Sequence, residues 1–249
     1  MSALAVMLIA IGIADAVRRL TRRAWVPPMV APLVVAVVAA PSGLWHPGDL
    51  VLMFVAAAAG VGWVVLGVRA ERSGDHHGAP LAIFGLAIAI LILLSGFSSD
   101  VGGLVARWAA WVAIPGIGDV SPNRLLMVVA VVLLQVVTGN QLVRLVLGSV
   151  GAVKPEGQPQ PSDRLKGGRL LGPMERILIL GLGLAGQLAA ATAVVAAKSI
   201  IRFPEINAET KRKNGSFDPE IGIDDVTEYF LVGSFASWII ALGGLALAQ

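Results

Sequence analysis

The stretch Gly172–Arg202, GPMERILILGLGLAGQLAAATAVVAAKSIIR, decides how this chain is read. It is nearly continuous hydrocarbon, yet it carries Glu175 and Arg176 at one end, Gln187 near its middle, and Lys198 and Arg202 at the other. About 20 apolar residues suffice to cross a bilayer, so the run reads as one membrane-crossing helix. Charged groups at or inside the rim of a hydrocarbon layer are costly unless paired or hydrated, so they mark a path, a partner or a structural lock.

The rest of the chain agrees with a membrane setting. Of 249 residues, 56% are hydrophobic and only 14% charged, and the mean hydropathy is +0.81, far from the roughly one quarter charged residues of soluble domains. With no cysteine, disulfides, thiolate catalysis and cysteine-ligated metals are excluded. A net charge of +3 is too small to point to nucleic acid, and the basic residues cluster beside apolar runs, where they set topology. No cofactor is implied. The abundance of Leu, Ala, Val and Gly suggests a GC-rich bacterial genome.

Outward from Gly172–Arg202, further apolar runs cover Ser2–Val17, Val26–Ala40, Val51–Val68, Pro80–Phe97, Arg124–Gly148 and Val226–Ala248. The expected architecture is therefore all-α, a polytopic transmembrane bundle of about seven spans, or six if the short first run does not cross. Val101–Ile114, with Arg107, Trp108 and Trp111, is too short to cross and reads as an interfacial or re-entrant helix. Ser2–Val17 precedes its arginines (Arg18, Arg19, Arg22, Arg23), the reverse of a signal peptide. An outside N-terminus puts Arg18–Arg23, Arg69–Arg72 and Arg144–Arg169 on one, cytoplasmic, side and leaves the C-terminus there too. Two parts are expected, residues 1–123 and 124–249, the second containing a Pro/Gly/Gln-rich linker at 153–168 and a charged loop at 203–225.

Smaller signals have bland explanations. Asp15, three residues before Arg18, reads as half of a helix-surface ion pair; Trp45 and Trp63 read as interfacial anchors, or for Trp63 as packing. Asp75, His76 and His77 lack a convergent third ligand for a metal. Gly181–Gly186 spells G-x-G-x-x-G without the strand and acidic residue a dinucleotide site needs, so close helix packing through Gly181, Ala185 and Ala189 is expected.

Placed by depth at about 1.5 Å per residue, Gln135 and Gln187 fall near mid-membrane, Arg144 and Glu175 near the cytoplasmic edge, and Lys198 and Glu228 near the outer edge. Gln135, Arg144, Glu175, Arg176, Gln187, Lys198, Arg202, Glu228 and Tyr229 form the candidate polar cluster. Its first reading is a set of locks between helices, its second a solute or proton path. Lys198, Glu228 and Tyr229 could serve proton chemistry, but no nucleophile–base constellation is evident.

The second half also resembles a family. GRLLGPMERILIL (168–180), Gly186-Gln187, AAKSIIRF (196–203) and TEYFLVGSFASW (227–238) together resemble the bacterial membrane family designated domain of unknown function 3307, over roughly Arg124–Ala248. The most specific matches are Glu175-Arg176, Ala197-Lys198-Ser199, Arg202-Phe203 and Glu228-Tyr229 with Gly233. The family's early helix pairs a histidine with an aspartate; here Asp15 has no histidine near it. The resemblance implies a membrane protein and brings no activity with it. The expected role is a non-enzymatic, transport-associated or complex-assembly subunit of the bacterial cytoplasmic membrane. Its expected partners are the lipid bilayer and a membrane protein or a second copy. A membrane-embedded enzyme acting on a lipid or hydrophobic substrate and an ion- or proton-coupled transporter are the alternatives.

Overall fold

The computed structural model describes residues 1–21, 23–112, 120–153, 168–197 and 223–249, with no strand among them. The chain forms two compact units, Met1–Thr138 with Leu247–Gln249, and Gly139–Ala246. The expected division at 123/124 and this one both fall on the same long helix, Pro122–Ser149.

Unit 1 is built around its first helix. α1 (Ser2–Leu20) is buried from Ser2 to Gly12 and again at Ala14 and Asp15, as a helix that is apolar on all sides must be. It packs against α2 (Val26–Ala39), α3 (Pro47–Ser73), α4 (Gly78–Leu93), α6 (Pro122–Leu133) and the π-helical turn Leu134–Thr138 that follows α6. α2, α3 and α6 each place proline in their first turn, where the missing N–H would have had no intrahelical partner. Asp49 secures the start of α3: its Oδ2 accepts from the His46 backbone N at 3.1 Å and its Oδ1 from the Ser99 N at 2.7 Å. α5 (Gly103–Trp111) has nine residues, too few to cross, and exposes Leu104, Trp108 and Trp111.

Polar contacts at the two ends of unit 1 fix the helix directions. At one end Ser2 Oγ meets Ser98 Oγ at 2.5 Å and donates to the Ser99 carbonyl at 2.7 Å, and the Val101 N donates to Asn123 Oδ1 at 2.6 Å. At the other, Arg18 Nη1 meets Glu71 Oε2 at 3.0 Å, and Arg19 Nη2 donates to the Val137 carbonyl. α1, α3 and α6 therefore run parallel, with α2 and α4 returning between them. Arg18, Arg19, Arg69 and Arg72 collect at the same end of the unit, as the charge pattern predicts.

Unit 2 holds α7 (Gly139–Ser149), α8 (Gly168–Leu184), α9 (Leu188–Ala197) and most of α10 (Ile223–Ala248). Ile179, Ala191 and Ala241 form its core, with Leu182, Val194, Val195 and Trp238 packed around them.

Among the described residues three helices are long and apolar enough to cross a membrane: Pro47–Ser73, Pro122–Ser149 and Thr227–Ala248. α2, α4 and α9 are apolar but shorter, and α1 ends in Asp15, Arg18 and Arg19. Gly172–Arg202, expected as one continuous span, is interrupted. Gly186 takes the left-handed conformation (φ 75°), the Gln187 N donates to the Leu182 carbonyl at 2.8 Å and the Gly186 N to the Gly183 carbonyl at 3.0 Å. That is the helix-ending bond pair a C′ glycine favours. The glycines of this run accordingly do different work from that expected: a side chain at Gly181 would meet open space, whereas Gly183 lies against Leu245 of α10.

Close approach at Gly60 gives a direct test of the packing. A Cβ there would lie 2.9 Å from the Ala31 Cβ, a rigid neighbour, while one at Gly85 would meet nothing within 4 Å. Both changes improve helix propensity by up to about 1 kcal/mol. In thermal melts of detergent-solubilised protein, Gly85→Ala should hold or raise the midpoint, and Gly60→Ala should lower stability by about 1–3 kcal/mol through overpacking.

Candidate functional site

Each unit buries a charged side chain and surrounds it with polar groups from neighbouring helices. In unit 1 the residue is Asp15, fully buried in α1. The indole of Trp63, from α3, donates Nε1–H to both carboxylate oxygens, at 3.2 and 3.1 Å. Trp63 is itself fully buried, and its ring lies 5.2 Å from that of Phe84 on α4. Arg18 Nε stands 3.9 Å from Asp15 Oδ1, one turn along α1, while the same guanidinium bonds Glu71 on the half-exposed rim. The expected pair with Arg18 is present, but Asp15 itself is buried rather than on the helix surface, and an indole binds it as well. Trp63 is likewise a buried donor and not an interfacial anchor.

The π turn contributes the last wall. Gln135 and Thr138 are both fully buried there. Thr138 stands close enough to Asp15 to interact with its carboxylate. A π turn shifts the hydrogen-bond register by one residue and commonly marks functional positions. Here the Val137 carbonyl of that turn accepts from Arg19.

In unit 2 the buried charge is Arg176 of α8, 1% exposed. Its Nη2 donates to Asn140 Oδ1 of α7 at 2.7 Å, and its Nη1 to Ser237 Oγ of α10 at 3.2 Å. Gly139 makes room for the guanidinium; a Cβ there would lie 2.8 Å from Arg176 Nε. The planar fork of arginine suits this three-helix bridge, since its donors point in fixed, divergent directions. Next in sequence, the buried Glu175 accepts from Trp238 Nε1 of α10 at 3.0 Å. Trp238 is set edge-on to Phe235, with centroids 5.2 Å apart.

The structure distributes the sequence-derived cluster as follows. Glu175 and Arg176 are buried at the meeting of α7, α8 and α10. Arg144, Gln187 and Glu228 are exposed and Tyr229 is half-buried. Gln135 belongs to unit 1 and Gln187 to unit 2. Lys198 and Arg202, and with Lys198 its expected pairing to Glu228, lie outside the described residues, as do most of the 153–168 linker and the 203–225 loop. Asp15, Trp63 and Thr138 in unit 1, and Asn140, Ser237 and Trp238 in unit 2, are the participants that depth placement missed. For Trp63 a signal existed: it falls well inside its apolar run, too deep for an interfacial anchor.

Comparison of the chain with protein-family models, curated proteins and solved structures returns no match.

The Arg176 bridge has a sharp chemical requirement. Arg176→Lys keeps the charge but cannot span Asn140 and Ser237 with one ammonium, and should cost about 1.5–3 kcal/mol. Gly139→Ala, which pushes a methyl into the guanidinium, should cost about 1–3 kcal/mol. Denaturant titration of the two variants against wild type checks both figures.

Proposed function

We propose that this chain is a multi-pass protein of the bacterial cytoplasmic membrane that acts as a non-enzymatic, transport-associated or complex-assembly subunit. The observation that carries the reading is an inverted distribution of polarity. Asp15 and Arg176 are fully enclosed, whereas Met29, Leu33 and Val37 along one face of α2, and Leu231, Phe235, Ile239 and Leu242 along one face of α10, are exposed. Stripes spaced by three and four residues are continuous along a helix. Apolar surface of that kind is stable only against lipid or another protein.

The enclosed charges support a scaffold more than a reaction centre. Each is held by side chains of its own unit: Asp15 by Trp63, Arg176 by Asn140 and Ser237. Cross-helix hydrogen bonds in membranes contribute about 0.6–2 kcal/mol each. They therefore supply orientation to helices that lipid alone does not drive together. The gathering of Arg18, Arg19, Arg69 and Arg72 at one end favours that end as cytoplasmic, and the count of about seven crossings follows if α1, α2, α4 and the α8–α9 pair are included. The interruption at Gly186 favours a second reading, an ion- or proton-coupled transporter, because broken helices build many transporter sites.

The absence of native cysteine allows a clean topology test. In intact cells a membrane-impermeant maleimide should modify Trp45→Cys and spare Ser73→Cys until the membrane is opened, since these positions flank the two ends of α3. Equal labelling of both removes the crossing. Purification in native lipid discs should then yield a stoichiometric membrane-protein partner or a second copy. A lone chain that moves ions or solute in liposomes by itself would replace the subunit reading with the transporter.

A further inference from the structure

Between α3 and α4, unit 1 leaves an apolar groove of about 610 Å³, lined from α3 by Phe54, Ala58, Gly62, Val65 and Leu66 and from α4 by Ile83, with no polar side chain among its described walls. Its size falls within the about 300–1,000 Å³ of small-ligand sites. Small residues make the groove: Ala58 and Gly62 lie one turn apart on α3, and Gly62 comes so close to α4 that a Cβ there would lie 3.0 Å from Ile83 Cδ1. From Leu66 back to Phe54 the groove follows about 18 Å of helix. That is close to one half of a hydrocarbon core about 30 Å thick.

One end of the groove is charged. Ala58, Gly62, Val65, Arg69 and Arg72 recur at alternating four- and three-residue spacing, so both arginines stand on the groove's own face of α3. Each is exposed. Glu71, between them in sequence, is taken by Arg18, and neither Arg69 nor Arg72 pairs with a described carboxylate. α4 begins at the same end, at Gly78, with no acidic residue in its first turn and no side-chain cap, and the start of a helix adds partial positive charge.

We propose that this groove is a binding site for an anionic phospholipid, with an acyl chain laid along Ala58 and Gly62 beside Ile83 and the headgroup phosphate held by Arg69 and Arg72. The proposal rests on α3 crossing the bilayer and not on the subunit role; the maleimide pair at Trp45 and Ser73 tests the crossing by itself. Guanidinium groups bind phosphate through paired, charge-assisted hydrogen bonds, and basic pockets at the cytoplasmic ends of helices hold such headgroups. A helix is the competing occupant, since small residues four apart also seat a neighbouring helix. The charge decides between them. A second copy packed symmetrically through this face would set Arg69 and Arg72 near their own images, a like-charge contact that opposes association, whereas a phosphate neutralises both.

Native mass spectrometry of the full chain, purified in detergent and titrated with phosphatidylglycerol or with phosphatidylcholine of the same acyl chains, tests this. Wild type should retain phosphatidylglycerol in preference, and Arg69→Gln combined with Arg72→Gln should cut that preference about ten- to thirtyfold, the effect of two arginines at a membrane surface. Arg23→Gln, which removes an exposed arginine that is not on this face, should leave the preference unchanged. Ala58→Phe, which fills the groove from an exposed position, should weaken both lipids alike. Equal retention of the two lipids by wild type overturns the proposal, as does a loss in Arg23→Gln equal to that of the Arg69 and Arg72 changes. So does a disulfide between copies through Ala58→Cys in liposomes, read cleanly because the chain has no other cysteine, which would make the groove a seat for a helix.

Discussion

The hydrogen bond from the Trp63 indole to Asp15 is the interaction on which unit 1 depends. A carboxylate buried in α1 has lost its water, and the loss is large enough that burial needs close partners. Trp63 provides one N–H shared by both oxygens, and its bulk simultaneously fills the space between α1, α3 and α4. One residue therefore satisfies a charge and sets the spacing of three helices. The close approach of α2 to α3 at Gly60, with room for no side chain, follows from the same tight ring around α1.

Unit 2 solves the equivalent problem with the opposite charge. Arg176 spreads its charge over two named acceptors on two helices, and a glycine beneath it makes the approach possible. Around it, Glu175 and Trp238 repeat the carboxylate–indole pairing of unit 1. Indole is well suited to this task in apolar surroundings, having a single donor, no acceptor and a large hydrocarbon body. The same chemical solution thus occurs in both units.

Much of this was legible in the residues. The all-helical class follows from the apolar runs, and the parallel setting of α1, α3 and α6 matches the shared placement of Arg18, Arg19, Arg69 and Arg72. Glu175 and Arg176, charges set inside an apolar run, are both buried at a junction of helices. What the sequence hid was partnership. Depth along a straight helix cannot foresee a π turn, which rotates Gln135 and Thr138 relative to an α-helical count, nor a Gly186 that stops a helix inside an apolar run. The sequence pairs Asp15 with Arg18, and that contact is present; the indole that also binds it lies 48 positions away. Local pairing rules find the i,i+3 partner but not a donor on another helix.

A double-mutant cycle of Asp15→Leu and Trp63→Phe, read by equilibrium unfolding in detergent, addresses the Trp63–Asp15 bond most directly. Trp63→Phe strands a buried carboxylate, Asp15→Leu strands an indole donor, and the pair of changes strands neither. A coupling of about 1.5–3 kcal/mol, the range of hydrogen bonds to charged groups, is expected, with the double variant more stable than the sum of single losses implies. Additivity within about 0.5 kcal/mol would mean that Trp63 and Asp15 are neighbours without a bond that matters, and would remove the interaction from which the organisation of unit 1 is derived.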